Sequence, residues 1–72
     1  MDSQTAKIFL LGRKIYQIRR EKGYSQNKLA EMLDISREHL AKIETAKRTV
    51  SLSLLIAIAE VLQVKVRDII DF

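Results

Sequence analysis

The sequence predicts an all-α domain, a compact five-helix bundle. Three observations lead there. The 72 residues include no Pro and two Gly, so little interrupts a helix. Apolar residues recur at helical spacing, beginning with Ile8, Leu11, Ile15 and Ile18. Ser25, Ser36 and Ser51, all good N-cap residues, stand in front of successive apolar-periodic stretches.

The first helix carries the Ile8 to Ile18 stripe, and Ser3 or Thr5 caps its start. Gly23 supplies a left-handed stop after Lys22, while Arg19, Arg20 and Lys22 complement the negative end of the helix dipole. Gly12 lies mid-helix at a cost of about 1 kcal/mol against Ala. It marks either a close helix–helix approach or a tolerated weakness. The second helix opens at the cap Ser25 and runs from Gln26 to about Leu33, with Leu29, Ala30 and Leu33 inward. The third opens at Ser36 and runs from Arg37 to about Thr45, burying Leu40 and Ile43. Only Asp34, Ile35 and Ser36 separate these two, and Asp34 tolerates the left-handed conformation that a sharp turn needs. The fourth helix follows Ser51 and reaches about Leu62, and Val66 to Ile70 makes a short fifth. The short connections fit one domain over residues 1–72.

Composition excludes several classes. Hydrophobic residues make up 47% of the chain and charged residues 31%, which is a globular rather than a disordered balance. The uncharged stretch from Ser51 to Ala59 is far shorter than the roughly 20 residues a membrane span needs. The chain opens with no charged-then-apolar leader, so the cytoplasm is the expected location. With no Cys, one His and no clustered carboxylates, neither a disulfide framework nor a metal site is expected, and no cofactor is implied. No nucleophile–base pair is apparent, so no enzyme is expected.

Charge is uneven. Residues 1–50 hold eleven basic and six acidic residues, net +5; residues 51–72 hold two and three, net −1. The basic front suits a polyanion. The near-neutral, apolar back suits a different partner.

Residues 26–45 form a helix-turn-helix unit: two short helices joined by a three-residue turn. The geometry asks for a small residue where the second helix crosses the first, and Ala30 supplies it. It asks for an apolar residue in the turn, Ile35, and for two inward residues on the second helix, Leu40 and Ile43. On a helical wheel Glu38, Ala41, Lys42 and Thr45 lie opposite Leu40 and Ile43, with Arg37 at the near edge in the first turn. The plain alternative is a solvated charged face in which Glu38 and Lys42 pair at i,i+4.

The chain resembles the phage repressor and Cro-type family of helix-turn-helix regulators, also called the xenobiotic-response-element family. Ile15-x-x-Ile18-Arg19 ahead of Gly23, Ser25-Gln26-x-x-Leu29-Ala30 and Ile35-Ser36 carry the likeness. So do Ile43-Glu44-x-x-Lys47-Arg48 and Leu52-x-x-Leu55-x-x-Ile58-Ala59-x-x-Leu62-x-Val64. Together they cover about residues 10 to 70. Three positions depart from the pattern: Asp34 and Ala46 stand where Gly is common, and Val50 where Pro is common.

The resemblance implies a lambda-repressor-like DNA-binding fold whose third helix enters the major groove of double-stranded DNA. Arg37, Glu38 and Lys42 are then the expected base readers, with Thr45 beside them and Ala41 allowing close approach. Gln26 is implied as a phosphate contact at a helix start and as a brace for the recognition helix. Asn27, Ser36, His39, Lys47, Arg48 and Thr49 are the other expected backbone contacts. Tyr16 and Tyr24 are phosphate donors or partly buried edges, with packing favoured for Tyr16. Arg19 and Glu44 are implied as a structural ion pair, and the wheel agrees by placing Glu44 on the flank of the third helix.

The fourth helix holds more apolar residues than one face needs. Leu52, Leu55, Ile58, Ala59 and Leu62 form the expected inward stripe; Leu54, Ala57 and Val61 form a second, extended by Ile70 and Phe72. Such a patch marks an interface, here placed within residues 52–72. A homodimer on a palindromic operator is the expected arrangement, which makes the chain a transcriptional regulator, a repressor or controller protein. The alternative is an antitoxin-like interaction protein that binds a partner such as a toxin through this surface. A membrane-surface role has only Phe9 and Leu10 with Lys7, Arg13 and Lys14 behind it, and no membrane partner is expected.

Overall fold

The computed structural model describes residues 2–72. Its five helices are α1 (Ser3–Glu21), α2 (Gln26–Leu33), α3 (Arg37–Glu44), α4 (Leu52–Leu62) and α5 (Val66–Ile69), and there is no strand among the described residues. Helix α3 packs on α1 and α2, α4 on α2 and α5, and α5 returns to α1. The core gathers Ile15 and Ile18 from α1, Leu29 and Ala30 from α2, and Leu40 and Ile43 from α3. Leu55, Ile58, Ala59 and Leu62 of α4 and Ile69 of α5 complete it.

Side-chain caps set where the helices begin. The hydroxyl oxygens of Ser25, Ser36 and Ser51 accept from the backbone N–H of Lys28, His39 and Leu54 at 3.0, 3.0 and 3.1 Å. Each bond satisfies one of the orphan donors of a first turn. The start of α1 corrects the expectation of Ser3 or Thr5. Asp2 is the N-cap, and its carboxylate accepts from Thr5 N–H at 2.8 Å. That bond holds the Asp2 carboxyl below its ordinary pKa.

Left-handed residues follow α1, α2, α3 and α4. Gly23 has φ 83°, as expected for a stop after Lys22. Asp34 has φ 58° and ψ 42°, which turns the chain between α2 and α3 and lets Ile35 pack under both. Gln63 does the same after α4, with φ 58°. Ala46, where Gly is common, keeps the left-handed turn at φ 62°. Val50, in place of Pro, packs half-buried on the core.

The apolar back differs from expectation in two respects. Leu52 is not inward but 70% exposed. It is the first residue of α4, and on the wheel it falls just outside the arc of the buried Leu55, Ile58, Ala59 and Leu62. The stripe of Leu54, Ala57 and Val61 is half-buried rather than fully outside, with Leu54 and Val61 packed against the core. Ile56, Ile70 and Phe72 are exposed.

Gly12 marks a close approach and is not a tolerated weakness. A Cβ there would lie 2.5 Å from the Ile43 carbonyl oxygen and 2.9 Å from that of Glu44. Both obstacles are backbone and cannot rotate away. Gly12→Ala is therefore expected to destabilise the domain by about 1–3 kcal/mol, the usual cost of overpacking, despite the better helix propensity of Ala. A melting temperature at or above wild type would show that α1 and α3 can part without loss.

Candidate nucleic-acid interface

Helix α3 has one locked side and one open side. Leu40 and Ile43 anchor it in the core. At its end Glu44 is buried against Arg19 of α1 in a two-pronged ion pair. Arg19 Nε donates to Glu44 Oε2 at 2.7 Å and Nη2 donates to Oε1 at 3.1 Å. Two further bonds complete the network: Arg19 Nη1 donates to the Tyr24 carbonyl at 2.8 Å, and Gln26 Nε2 donates to Glu44 Oε1 at 2.9 Å. Among the described residues no buried side-chain polar atom lacks a partner. The forked geometry fixes the end of α3 in direction as well as position.

The open side presents Arg37, Glu38, Lys42 and Thr45 to solvent, with Ala41 half-buried between them. Glu38 and Lys42 do not form the i,i+4 pair of the plain alternative. Among the described residues the ion pairs are Arg19–Glu44 and, at 3.6 Å, Lys28–Glu31. Thr45 Oγ1 donates to the Ala41 carbonyl at 2.8 Å, so this hydroxyl faces outward as an acceptor.

The other expected positions surround this face. Gln26 stands half-buried at the start of α2, Asn27 is exposed beside it, and both share an open depression with Arg37. Ser36 is exposed, with its oxygen engaged as the cap of α3. His39 is half-buried on the flank. Lys47 and Arg48 follow α3, and their N–H groups both donate to the Lys42 carbonyl, at 2.8 and 3.2 Å. The loop folds back on α3, leaving Lys47, Arg48 and Thr49 exposed at its end. Arg48 and Thr49 also line a depression with Gln4 and Ile8 of α1, so they stand on the α1 side of α3.

One cluster lies outside the expected site residues. The guanidinium carbons of Arg13, Arg19 and Arg20 lie 5.3, 5.3 and 5.7 Å from the centroid of the Tyr16 ring. The signal was available, because Arg13 and Arg20 stand three residues before and four after Tyr16 on one helix. The Gln26–Glu44 bond is the brace on the recognition helix that the resemblance implies for Gln26.

Two short helices crossing over a left-handed turn, the second clamped from behind and polar in front, define a helix-turn-helix DNA-binding domain. The chain belongs to the Helix-turn-helix family HTH_3, whose profile matches residues 15–69. It is 41% identical over 64 residues to the control protein C.BamHI of Bacillus amyloliquefaciens, covering 88% of this chain and 79% of that protein. The restriction-modification controller protein C.AhdI from Aeromonas hydrophila superposes with a TM-score of 0.85 at 28% identity, covering 89% of this chain and 97% of that one. SinR, the master regulator for biofilm formation, solved in complex with DNA, gives 0.74 at 36% identity, covering 79% and 92%. The chain spans about two fifths of the length of the Rickettsia regulators that it matches at 42% identity.

The ion pair makes a direct prediction. Glu44→Ala leaves Arg19 charged and buried, and frees Gln26 as well. The expected loss is about 3–5 kcal/mol, a large part of the roughly 5–15 kcal/mol that holds a domain folded. Denaturant titration checks it, and a loss under about 1 kcal/mol would class the pair with exposed ones.

Proposed function

We propose that the chain binds double-stranded DNA sequence-specifically, as a homodimeric transcriptional regulator on a palindromic operator. The observation that carries the reading is α3 itself. Its back is fixed by a buried forked ion pair, and its front offers Arg37, Glu38 and Lys42 without ionic partners among the described residues. A helix held that rigidly can present side chains to base edges in one register. Arg37 has the fork to take a guanine, Glu38 accepts from a cytosine amine, and Lys42 reaches guanine or phosphate. Thr45 adds an acceptor, and Ala41 lets the helix approach closely. Gln26, Asn27, Ser36, His39, Lys47, Arg48 and Thr49 hold the DNA backbone on either side of α3. The net +5 of residues 1–50 supports a polyanionic partner.

The mode proposed is repression by operator occlusion, in the cytoplasm, by binding rather than by catalysis and with no cofactor. The relatives are regulators and controllers, SinR among them in complex with DNA, and the antitoxin-like alternative is set aside. Selection of bound DNA from a random pool is the decisive experiment. A palindromic consensus is expected, with half-sites about one turn, roughly 34 Å, apart. A pool without enrichment would overturn the proposal.

Positioning and reading contacts should separate under mutation. Lys47→Ala is expected to weaken binding to all sequences alike and to flatten the salt dependence by about one unit. Arg37→Ala should instead relax preference at one base position. Equal behaviour of the two variants would contradict the assignment.

The dimer surface proposed is Leu54, Ala57 and Val61 of α4 with Ile70 and Phe72. Because Val61 also packs on the core, Ala57→Glu is the cleaner test: it lies on the same face without joining the core packing. Two like charges would meet near the two-fold axis and lose water. A folded monomer with much weaker operator binding is expected by sedimentation. A dimer that persists in Ala57→Glu would place the interface elsewhere.

A further inference from the structure

We infer that the DNA-contacting surface extends onto the second half of α1, where Arg13, Tyr16 and Arg20 form a seat for one backbone phosphate. The inference rests on the DNA-binding reading above and adds residues that lie outside the helix-turn-helix. An open depression of about 640 Å³ joins Tyr16 and Arg20 of α1 to Ser25, Gln26, Asn27 and Arg37, which stand at the starts of α2 and α3. Arg19 lines it too, and no carboxylate does; Arg13 stands outside the lining, against the Tyr16 ring. The depression on the other side of Tyr16 and Arg20 differs, because Glu21 and Asp68 stand there among Lys14 and Lys22. Of the two depressions that share Tyr16 and Arg20, the one that opens toward α3 is therefore the one whose positive lining has no carboxylate.

The Tyr16 ring organises this charge. Its centroid lies 5.3 to 5.7 Å from three guanidinium carbons, within the range where a cation is drawn to a ring face. Three like charges around one ring repel one another. Glu44 offsets that of Arg19, while Arg13 and Arg20 belong to no ion pair among the described residues. Arg20 Nη1 donates to Tyr16 Oη at 3.3 Å. That bond takes up a lone pair of the phenol and leaves its O–H to donate. The depression thus offers the Arg20 cation and an O–H donor with no carboxylate in its lining, and Arg13 adds a second cation against the same Tyr16 ring. A phosphodiester, with one negative charge and only acceptor oxygens, matches it.

The test compares two probes, a mixed-sequence duplex about three helical turns long and the consensus duplex from the selection. Arg13→Ala and Arg20→Ala are each expected to flatten the slope of log affinity against log salt by about 0.9, and the double variant by about twice that. The loss should be the same for both duplexes, since a phosphate carries no sequence. Tyr16→Phe keeps the ring and should weaken both complexes several-fold with an unchanged slope. Circular-dichroism melts establish that each variant is folded; Arg13 and Arg20 are exposed, which makes their truncation tolerable. Wild-type slopes in both Arg variants, with Arg37→Ala still altering base preference, would overturn the seat and leave the DNA-binding reading standing. A wild-type protein that binds neither duplex would overturn both.

Discussion

A buried carboxylate at the end of α3 governs the rest of the structure. Taking Glu44 and Arg19 out of water costs several kcal/mol per ion. The cost is tolerable because the pair is forked at 2.7 and 3.1 Å and because the remaining groups are bonded. Arg19 gives its third nitrogen to the Tyr24 carbonyl, and Glu44 takes a third bond, from Gln26. One network therefore ties the end of α1, the turn after it, the start of α2 and the end of α3. Gly12 belongs to the same constraint. Without a Cβ at that point, α1 comes close enough to the Ile43 and Glu44 carbonyls for Arg19, further along the same helix, to lie against Glu44.

Much of this was legible in the sequence. Serine caps followed by periodic apolar residues located α2, α3 and α4, since a cap and a wheel angle are local properties. The Arg19–Glu44 pair came from family resemblance and from Glu44 lying on the flank. What escaped was not local. Leu52 has the spacing of the inward stripe but falls just outside the wheel arc of the residues that are buried, and how wide an arc is covered depends on the neighbouring elements. Ser3, Thr5 and Asp2 all carry capping oxygens, and the choice depends on which residue first adopts helical dihedrals. The half-burial of Leu54 and Val61 depends on how far neighbouring side chains overlap the flank of α4. The bracing role of Gln26 came from the resemblance, but its partner, Glu44, 18 residues away, is set only by the folded crossing of α2 and α3.

The departures at Asp34 and Ala46 show that a turn can be kept when its usual residue is lost. Both remain left-handed, at φ 58° and 62°. Asp is among the residues that visit this region most readily, whereas for Ala the conformation costs about 1–2 kcal/mol. Ala46 stays there because its neighbours leave it no alternative. The N–H groups of Ala46, Lys47 and Arg48 all donate back to carbonyls of α3, on Ile43 and Lys42. Releasing the strain would leave those carbonyls open and move the basic loop away from α3. The position of Lys47 and Arg48 is thus maintained against a local preference, which places the strain beside the proposed contact surface rather than at random.

An eight-residue helix also limits what one copy of this domain can do. On the proposed reading it offers three charged readers, and a good bidentate contact discriminates by about 1–3 kcal/mol. The basic surface around it adds affinity for any duplex, which raises competition from other sequences as much as it helps the right one. Direct readout grows by adding readers, and no second recognition helix exists among the described residues. A second copy supplies one while also doubling the phosphate contacts. The sign of the charge then decides where the copies can meet. Residues 1–50 carry net +5 and would repel their own image, whereas residues 51–72 carry net −1 and expose Ile70 and Phe72 beside the half-buried stripe of α4. On the proposed reading, contact through the back would leave both α3 helices free for one duplex, so the uneven charge and the apolar flank of α4 would serve the same end.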